Sequence, residues 1–586
     1  MSGVGGGAVA VVGAACRLPG GIADLEALWA SLDTGAVRAQ DAPAGFDAGY
    51  FGMSAQEAAR LSPEDALLLE LTVEALDDAG LDGTGAGVYA GGAGHHAAAR
   101  HLGGPGRSCP SPPAAVEQAC RALHAGDVRL ALAADVSGPP PGPAGAPALP
   151  SGAVVVLKRL GDALAGRDRV HGVLAGWGGE HEICELYERA RVDPGDLVYV
   201  ETGDHEAIAR ALAPRRAHPL PVSTGRDGIL AVIKAMLVLR HRRTPRHRDD
   251  TLLPVPGGAR VEPVAPGTAA QGFVGIGDRG THVIVAPAPA DLGRVVRQCG
   301  PLPVTVSARS RQALGEAVHR MAGRLRAATQ EEFYDLAYTS CARRTRHPYR
   351  RVVLANTPQA AAGALVEGVR LAVRDGRVAF AYGGGIGGAL PFGDRVFRSA
   401  VDRVDALLAP RLGRSLRDQT AGPALVFAAQ VGVTRMLAVR GIRPATAFGE
   451  GHGRLAAAWA SGRMTLEEAV RALTQRTDAC PVSCDPGACP RCRSGPPGAG
   501  AGLFVEVGPG LGAAIRRGAL WPPLVVTTLG EDGDGVEPAA RELIEAGADA
   551  DWDAVFPRPG RVVGLPAYPW QRRIMPALAR RSDHAG

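Results

Sequence analysis

Short runs of β-branched residues alternate with longer Ala- and Leu-rich segments along most of the chain. This alternation predicts layered α/β domains. Strands are expected at residues 8–13, 152–158, 197–201, 281–286, 377–383 and 503–508. Helices are expected at 24–32, where Asp24 caps the start, at 64–79, which Gly80 ends, and at about 113–126.

A chain of 586 residues is too long for one hydrophobic core and fits two or three domains. Segments rich in Gly and Pro at 137–152, 285–294 and 494–503 indicate boundaries or shortened loops. The second of them follows a predicted strand near the middle of the chain. It is therefore the favoured domain boundary.

The composition of the chain indicates its cellular compartment and argues against nucleic acid and membrane as partners. A hydrophobic content of 46%, with 21% charged residues and a net charge of +5, is ordinary for a globular protein. The basic run at 240–250 ends in acidic residues, which favours a solvated surface over nucleic-acid binding. No apolar run reaches membrane-spanning length, and the N-terminus has no basic segment typical of a signal peptide. Ten cysteines without an export signal then indicate a cytoplasmic protein with free thiols or bound metal.

The segment 445–462, ATAFGEGHGRLAAAWASG, has the pattern of a strand, a glycine-cornered turn and the start of a helix. A nucleophile elbow has this pattern, with G-x-S-x-G placing a serine on a strained corner at a helix N-terminus. Here Gly451 holds the central position and has no side chain that can attack a substrate. The adjacent His452 would need a nucleophile within hydrogen-bond reach to act as a base, so a structural or solvent-facing role is favoured.

Four cysteines lie within thirteen residues with the spacing C-x3-C-x4-C-x2-C, namely Cys480, Cys484, Cys489 and Cys492. Four thiolates can surround one tetrahedral zinc ion, and the Pro and Gly spacers permit the tight turns that this requires. A structural zinc ion would stabilise so short a loop. Free cysteines and a surface disulfide remain the alternatives.

Several segments, taken in order, resemble the ketosynthase and acyltransferase domains of a type I modular polyketide synthase. The ketosynthase resemblance rests on AVVGAACRLPGGIADLEALWASL, GFDAGYFGMSAQEAARLSPEDALLLELTVEALDDAGL, QACRALHAGDVRLALAADVS and THVIV. The acyltransferase resemblance rests on RVAFAYGGG, FRSAVDRVDALLAP, RPATAFGEGHGRLAAAWASGRMTLEEAVRALTQR and FVEVGPGLGAAIRRGAL. Two further segments resemble linkers of this family. They are LPVTVSARSRQALGEAVHRMAGRL, which resembles the linker to the acyltransferase domain, and DWDAVFPRPGRVVGLPAYPWQRR, which resembles the post-acyltransferase linker.

The resemblance implies a degenerate, trimmed ketosynthase–acyltransferase didomain of α/β class. It places a thiolase-like ketosynthase domain at 1–288 and a linker domain at 289–372. An acyltransferase domain with an α/β-hydrolase-like core follows at 373–530, and a post-acyltransferase linker at 531–586. Segment 91–109 is far shorter than the family's segment before the nucleophile, which helps to build the dimer. The usual ketosynthase homodimer is therefore in doubt.

Ketosynthases of this family use a cysteine nucleophile and two histidines. Counting back from ACRAL (119–123) places Cys109 at the position of the cysteine. Both histidine motifs are missing: VYVE continues into TGDHEAIARAL, with His205 off-position, and LPVSTGRDGIL contains neither Lys nor His. A helix start lowers a thiol pKa through free N–H groups, but the prolines at 110, 112 and 113 have none. A buried or half-buried Cys109 thiol is therefore favoured over a working nucleophile. Slow acyl transfer to the Cys109 sulfur remains the alternative.

The acyltransferase half also lacks its catalytic serine, since the family's G-H-S-x-G corresponds to Gly449, Glu450, Gly451, His452 and Gly453. The family's glutamine loop corresponds to YGGGIGG. Arg476 matches the arginine that binds the malonyl carboxylate. Arg476 would either pair with an acidic side chain or bind a carboxylate ligand.

These departures predict a pseudoenzyme, a non-catalytic partner or scaffold that binds an acyl carrier protein or a polyketide synthase module. The alternative is an acyltransferase that uses Cys109 as a thiol nucleophile on acyl carrier protein or acyl-CoA thioesters. A third possibility is a decayed product with no role beyond folding. No G-x-D-S motif follows PWQRR, so no phosphopantetheine attachment site is expected in this chain.

Overall fold

A computed structural model of the 586-residue chain describes the following residues: 7–34, 45–91, 95–138, 150–179, 182–202, 208, 211–212, 220–223, 228–243, 251–253, 272–278, 280–289, 300–367, 376–416, 422–474, 502–518, 522–529 and 535–573. Within these residues, no helix combines the length and hydropathy needed to cross a bilayer.

The chain folds into two compact units. The first unit comprises Met1–Arg294, Arg343–Thr345 and Arg561–Gly586. The second comprises Val295–Ala342 and Arg346–Gly560. The chain therefore leaves the first unit and returns to it. The finer division into four segments at 288, 372 and 530 stays a prediction.

A single mixed sheet organises the first unit. Its strands are β1 (Val9–Arg17), β2 (Gly87–Ala90), β3 (Gly106–Ser108), β4 (Ala131–Ser137), β5 (Ser151–Arg159), β6 (Gly172–Gly179), β7 (Leu197–Thr202), β8 (Leu220–Ser223), β9 (Thr251–Leu253), β10 (Phe273–Asp278) and β11 (Thr281–Pro287). Their order across the sheet is β3-β2-β4-β5-β1-β6-β11-β10-β7-β8-β9. β1 is the fifth strand in this order and is antiparallel to both of its neighbours, β5 and β6.

Helices cover both faces of this sheet. They are Leu25–Thr34, Ala55–Ala58, Pro63–Ala79, His95–Leu102, Pro112–Ala125, Leu160–Ala165, Ile183–Ala190 and Ile229–His241. Side chains of β1 enter two separate hydrophobic clusters, one on each face, so this strand is buried along its whole length. The strands predicted at 8–13, 152–158, 197–201 and 281–286 are confirmed as β1, β5, β7 and β11.

The helix Pro63–Ala79 begins one residue before the predicted start at 64 and ends, as predicted, at Gly80. The Ser62 side chain accepts a hydrogen bond from the N–H of Asp65, and Gly80 closes the helix in the left-handed region at φ 60°. Against its middle turn lies Gly13 of β1, where a Cβ atom would stand 2.3 Å from the carbonyl oxygen of Ala75. Glycine is therefore required at position 13 for the strand and the helix to approach so closely.

The C-terminal part of the first unit binds this helix through a buried group of charges. The Arg17 guanidinium lies 2.6 Å from a Glu70 oxygen and 2.5 Å from a Glu74 oxygen. Arg572 donates to Glu70 at 2.8 Å, and the indole N–H of Trp570 donates to Glu74 at 2.6 Å. We call these five side chains the Arg17 cluster. Since every buried carboxylate in it has two partners, the cluster joins residues about 500 positions apart in sequence.

A second ionic contact lies at the end of the same helix. Asp78 contacts the Nε2 atom of His171 at 2.7 Å and the guanidinium of Arg169 at 3.0 Å, and it accepts from the N–H of Ala14 at 3.0 Å. Burial alone would raise the pKa of Asp78, but these partners outweigh it and hold that pKa at about 2. Asp78 is therefore ionised over the ordinary pH range.

The second unit contains two smaller sheets. An antiparallel pair, β12 (Leu302–Ala308) and β13 (Tyr349–Ala355), packs with helices Arg311–Arg326, Phe333–Ala342 and Pro358–Glu367. A parallel sheet has the order β15-β14-β16-β17, with strands β14 (Val378–Tyr382), β15 (Thr446–Gly449), β16 (Leu503–Val507) and β17 (Leu524–Thr528). The remaining helices are Arg395–Leu412, Pro423–Val439, Gly453–Ala460, Leu466–Thr474, Gly512–Gly518, Val536–Glu545 and Trp552–Val555.

Candidate functional site

Cys109 lies directly after the edge strand β3 in the first unit. Its backbone N–H donates to the carbonyl of Ala90 at 2.8 Å, and its side chain is buried, with the residue only 7% exposed. Burial raises the pKa of the Cys109 thiol, and the nearby positive charge of Arg107 opposes that rise without cancelling it. The thiol is therefore largely protonated at neutral pH.

The helix that follows Cys109 offers the sulfur few donors. The helix is Pro112–Ala125, and its first two residues are prolines without N–H groups. The next N–H, of Ala114, is already bound by the Ser111 hydroxyl at 3.3 Å. A thiolate at this helix start would consequently lack the hydrogen bonds that lower the pKa of reactive cysteines.

The segment around Gly451 is a strand, a sharp turn and a helix. β15 ends at Gly449, Gly451 adopts φ 53°, and the helix Gly453–Ala460 begins two residues later. The N–H of Glu450 donates to the carbonyl of Tyr382 at 3.1 Å, which fixes the turn against the end of β14. The strand–turn–helix pattern expected from the sequence is present.

Glycine occupies positions 449, 451 and 453 of this turn for two different physical reasons. A Cβ atom at Gly453 would lie 2.3 Å from the carbonyl oxygen of Tyr382, and one at Gly449 would lie 2.5 Å from the carbonyl oxygen of Gly453. Both positions thus need glycine because backbone segments touch there. A Cβ atom at Gly451 would meet nothing within 4 Å, so only the positive φ favours glycine at the central position. The turn has space for the side chain that it lacks.

Two buried polar residues organise the same carboxyl edge of the parallel sheet. Gln430 is fully buried on the helix Pro423–Val439, and its amide donates to the carbonyl of Gly383 at 2.7 Å. Glu506, in β16, accepts from the backbone N–H groups of Leu511 and Gly512 at 2.6 and 2.7 Å. Both residues hold glycine-rich loops that follow strands, and carboxyl edges of parallel strands are where α/β proteins bind ligands.

Sequence reasoning did not single out Gln430 or Glu506. Glu506 had a recognisable signal, because it is a charged residue inside the otherwise apolar run LFVEV, immediately before a glycine-rich loop. Gln430 had none, since a polar residue within a long, largely apolar helix does not reveal which loop it contacts.

Other candidate residues lie outside the described residues. They are His205, Arg476 and the four cysteines Cys480, Cys484, Cys489 and Cys492. Their proposed roles, including the structural zinc ion, remain sequence predictions. Among the residues that the structure does describe, no group of three or more His, Cys, Asp or Glu side chains could hold a metal ion.

Comparisons with known families match two parts of the chain. The family described as "Beta-ketoacyl synthase, N-terminal domain" matches residues 34–108. The family described as "CurL-like, PKS C-terminal" matches residues 303–365. The first match ends next to Cys109, and the second covers most of the β12–β13 region.

Curated relatives match a larger share of the chain than the two family descriptions do. The erythronolide synthase EryA3 of Saccharopolyspora erythraea is 27% identical over 632 residues, which cover 80% of this chain and 20% of that protein. The phthioceranic/hydroxyphthioceranic acid synthase of Mycobacterium bovis is 26% identical over 646 residues, which cover 80% of this chain and 30% of that protein. The alignments thus span between a fifth and a third of the length of these relatives.

A solved structure has the same fold as part of the chain. The ketosynthase from module 6 of the bacillaene synthase of Bacillus subtilis 168 superposes with a TM-score of 0.50 at 19% identity, over 62% of this chain and 85% of that one. The chain is a ketosynthase-containing relative of the modular polyketide synthases. The ketosynthase-like part has the thiolase-like α/β fold that the sequence resemblance implied.

The ketosynthase-like sheet also holds a buried ion pair near the end of β7. Glu201 lies 3.4 Å from the ammonium of Lys234, and the hydroxyl of Tyr199 donates to the other Glu201 oxygen at 3.4 Å. All three side chains are buried. The pair fastens the helix Ile229–His241 to the end of β7.

Proposed function

We propose that this chain is a catalytically impaired ketosynthase–acyltransferase homologue that acts as a non-catalytic partner in polyketide biosynthesis. Its binding partner would be an acyl carrier protein or a polyketide synthase module. The observation that carries the proposal is the turn at Gly451. Gly449 and Gly453 keep the backbone frame of a nucleophile elbow, while the central residue has no atom that could form an acyl-enzyme bond.

The environment of Cys109 supports the same proposal. The thiol is buried, its pKa is raised, and the helix start beside it has few free N–H groups. Condensation would also require groups that polarise a thioester and stabilise an enolate. The sequence has no histidine at either position where the resemblance expects one.

Acyl transfer to Cys109 is the second candidate, and the positive charge of Arg107 favours it because it stabilises a thiolate. In that reaction the Cys109 sulfur forms a thioester with the acyl carbon. The bond to the donor sulfur breaks, and the donor leaves as a free thiol that takes the Cys109 proton. This chemistry needs no cofactor.

Intact-protein mass spectrometry separates the two candidates. The full chain is incubated with acyl-CoA thioesters and with acylated carrier proteins, beside Cys109→Ala as the matched variant. We expect no mass increase in either protein. An acyl adduct that forms on the wild type and is absent from Cys109→Ala would establish the acyltransferase candidate and overturn the pseudoenzyme.

Partner binding needs its own measurement. Native mass spectrometry and pull-downs from a strain that produces the polyketide should recover a carrier protein or synthase module with the chain. Cys109→Ala should bind the same partner equally well, because the proposed role does not use the thiol. Recovery of no synthase component would refute the scaffold role.

A further inference from the structure

We draw no further inference here: the strongest candidate, the buried Gln430 side chain at the carboxyl edge of the parallel sheet, whose Oε1 atom has no hydrogen-bond partner within the part of the chain that the structure describes, belongs to the site already described.

Discussion

Arg17→Met should destabilise the first unit in a manner that depends on pH. In the Arg17 cluster, Arg17 contacts both Glu70 and Glu74. Without it, Glu70 keeps Arg572, but Glu74 keeps only the indole of Trp570. Breaking a buried ion pair by removing one partner costs about 3–5 kcal/mol, and the remaining partners place this case near about 3 kcal/mol.

The pH dependence follows from Glu74. Burial raises the pKa of Glu74 above its ordinary value even with Arg17 present, and removal of Arg17 raises that pKa further. A carboxyl whose pKa is higher in the folded state favours folding when it is protonated. This contribution is fully present below the unfolded-state pKa and is lost as the pH rises through the folded-state pKa. The deficit of Arg17→Met should therefore be larger at pH 8 than at pH 5.

Thermal unfolding followed by circular dichroism measures the effect. A loss of about 3 kcal/mol corresponds to a fall in melting temperature of about 4 °C, because a unit of this size unfolds with an entropy of about 0.7 kcal/mol/K, at about 2.1 cal/mol/K per residue. Arg60→Met removes an exposed arginine and serves as the control, with an expected change within about 0.5 kcal/mol. The reasoning is wrong if Arg17→Met melts like Arg60→Met, or if its deficit is the same at pH 5 and pH 8.

Four further results are expected. Gly13→Ala should destabilise the first unit by about 1–3 kcal/mol in thermal melts, because its Cβ would lie 2.3 Å from a carbonyl oxygen, whereas Gly161→Ala, with open space, should not. Asp78→Asn should cost about 2 kcal/mol at pH 7, and its difference from wild type should vanish as acid lowers the pH from 3.8 through the folded-state pKa of about 2. Gly451→Ser should fold with a loss of about 1–2 kcal/mol from its positive φ, while Gly453→Ala should lose more; equal melting of the two would contradict the geometry. Metal analysis of protein purified without added zinc should find about one zinc ion per chain if the four-cysteine cluster is a site, and a far smaller ratio would exclude it.

The sequence predicted those elements whose conformation depends only on residues a few positions apart. Gly80 could be predicted to end a helix, because a left-handed residue at a helix end depends only on the few residues before it. The strand–turn–helix at Gly451 could be predicted for the same reason, since its positive φ and the contact between Gly449 and Gly453 lie within one short segment.

Features that depend on distant residues could not be predicted in this way. Glu70 and Glu74 lie on one side of a recognisable helix, but no local pattern names Arg572 and Trp570 as their partners. Burial of Cys109 could be anticipated only in part, from the prolines that follow it.

The Arg17 cluster also determines when the first unit can complete its folding during synthesis on the ribosome. Glu70 and Arg572 are separated by 502 positions, so the ribosome adds about 500 residues after Glu70 before this partner exists. At about 5–20 residues per second, this interval lasts about 25–100 s. Throughout it, Glu70 and Glu74 share a single guanidinium, and the first unit is incomplete while the second is being synthesised. A growing chain of this protein is therefore most exposed to misfolding and proteolysis before residues 570–572 emerge.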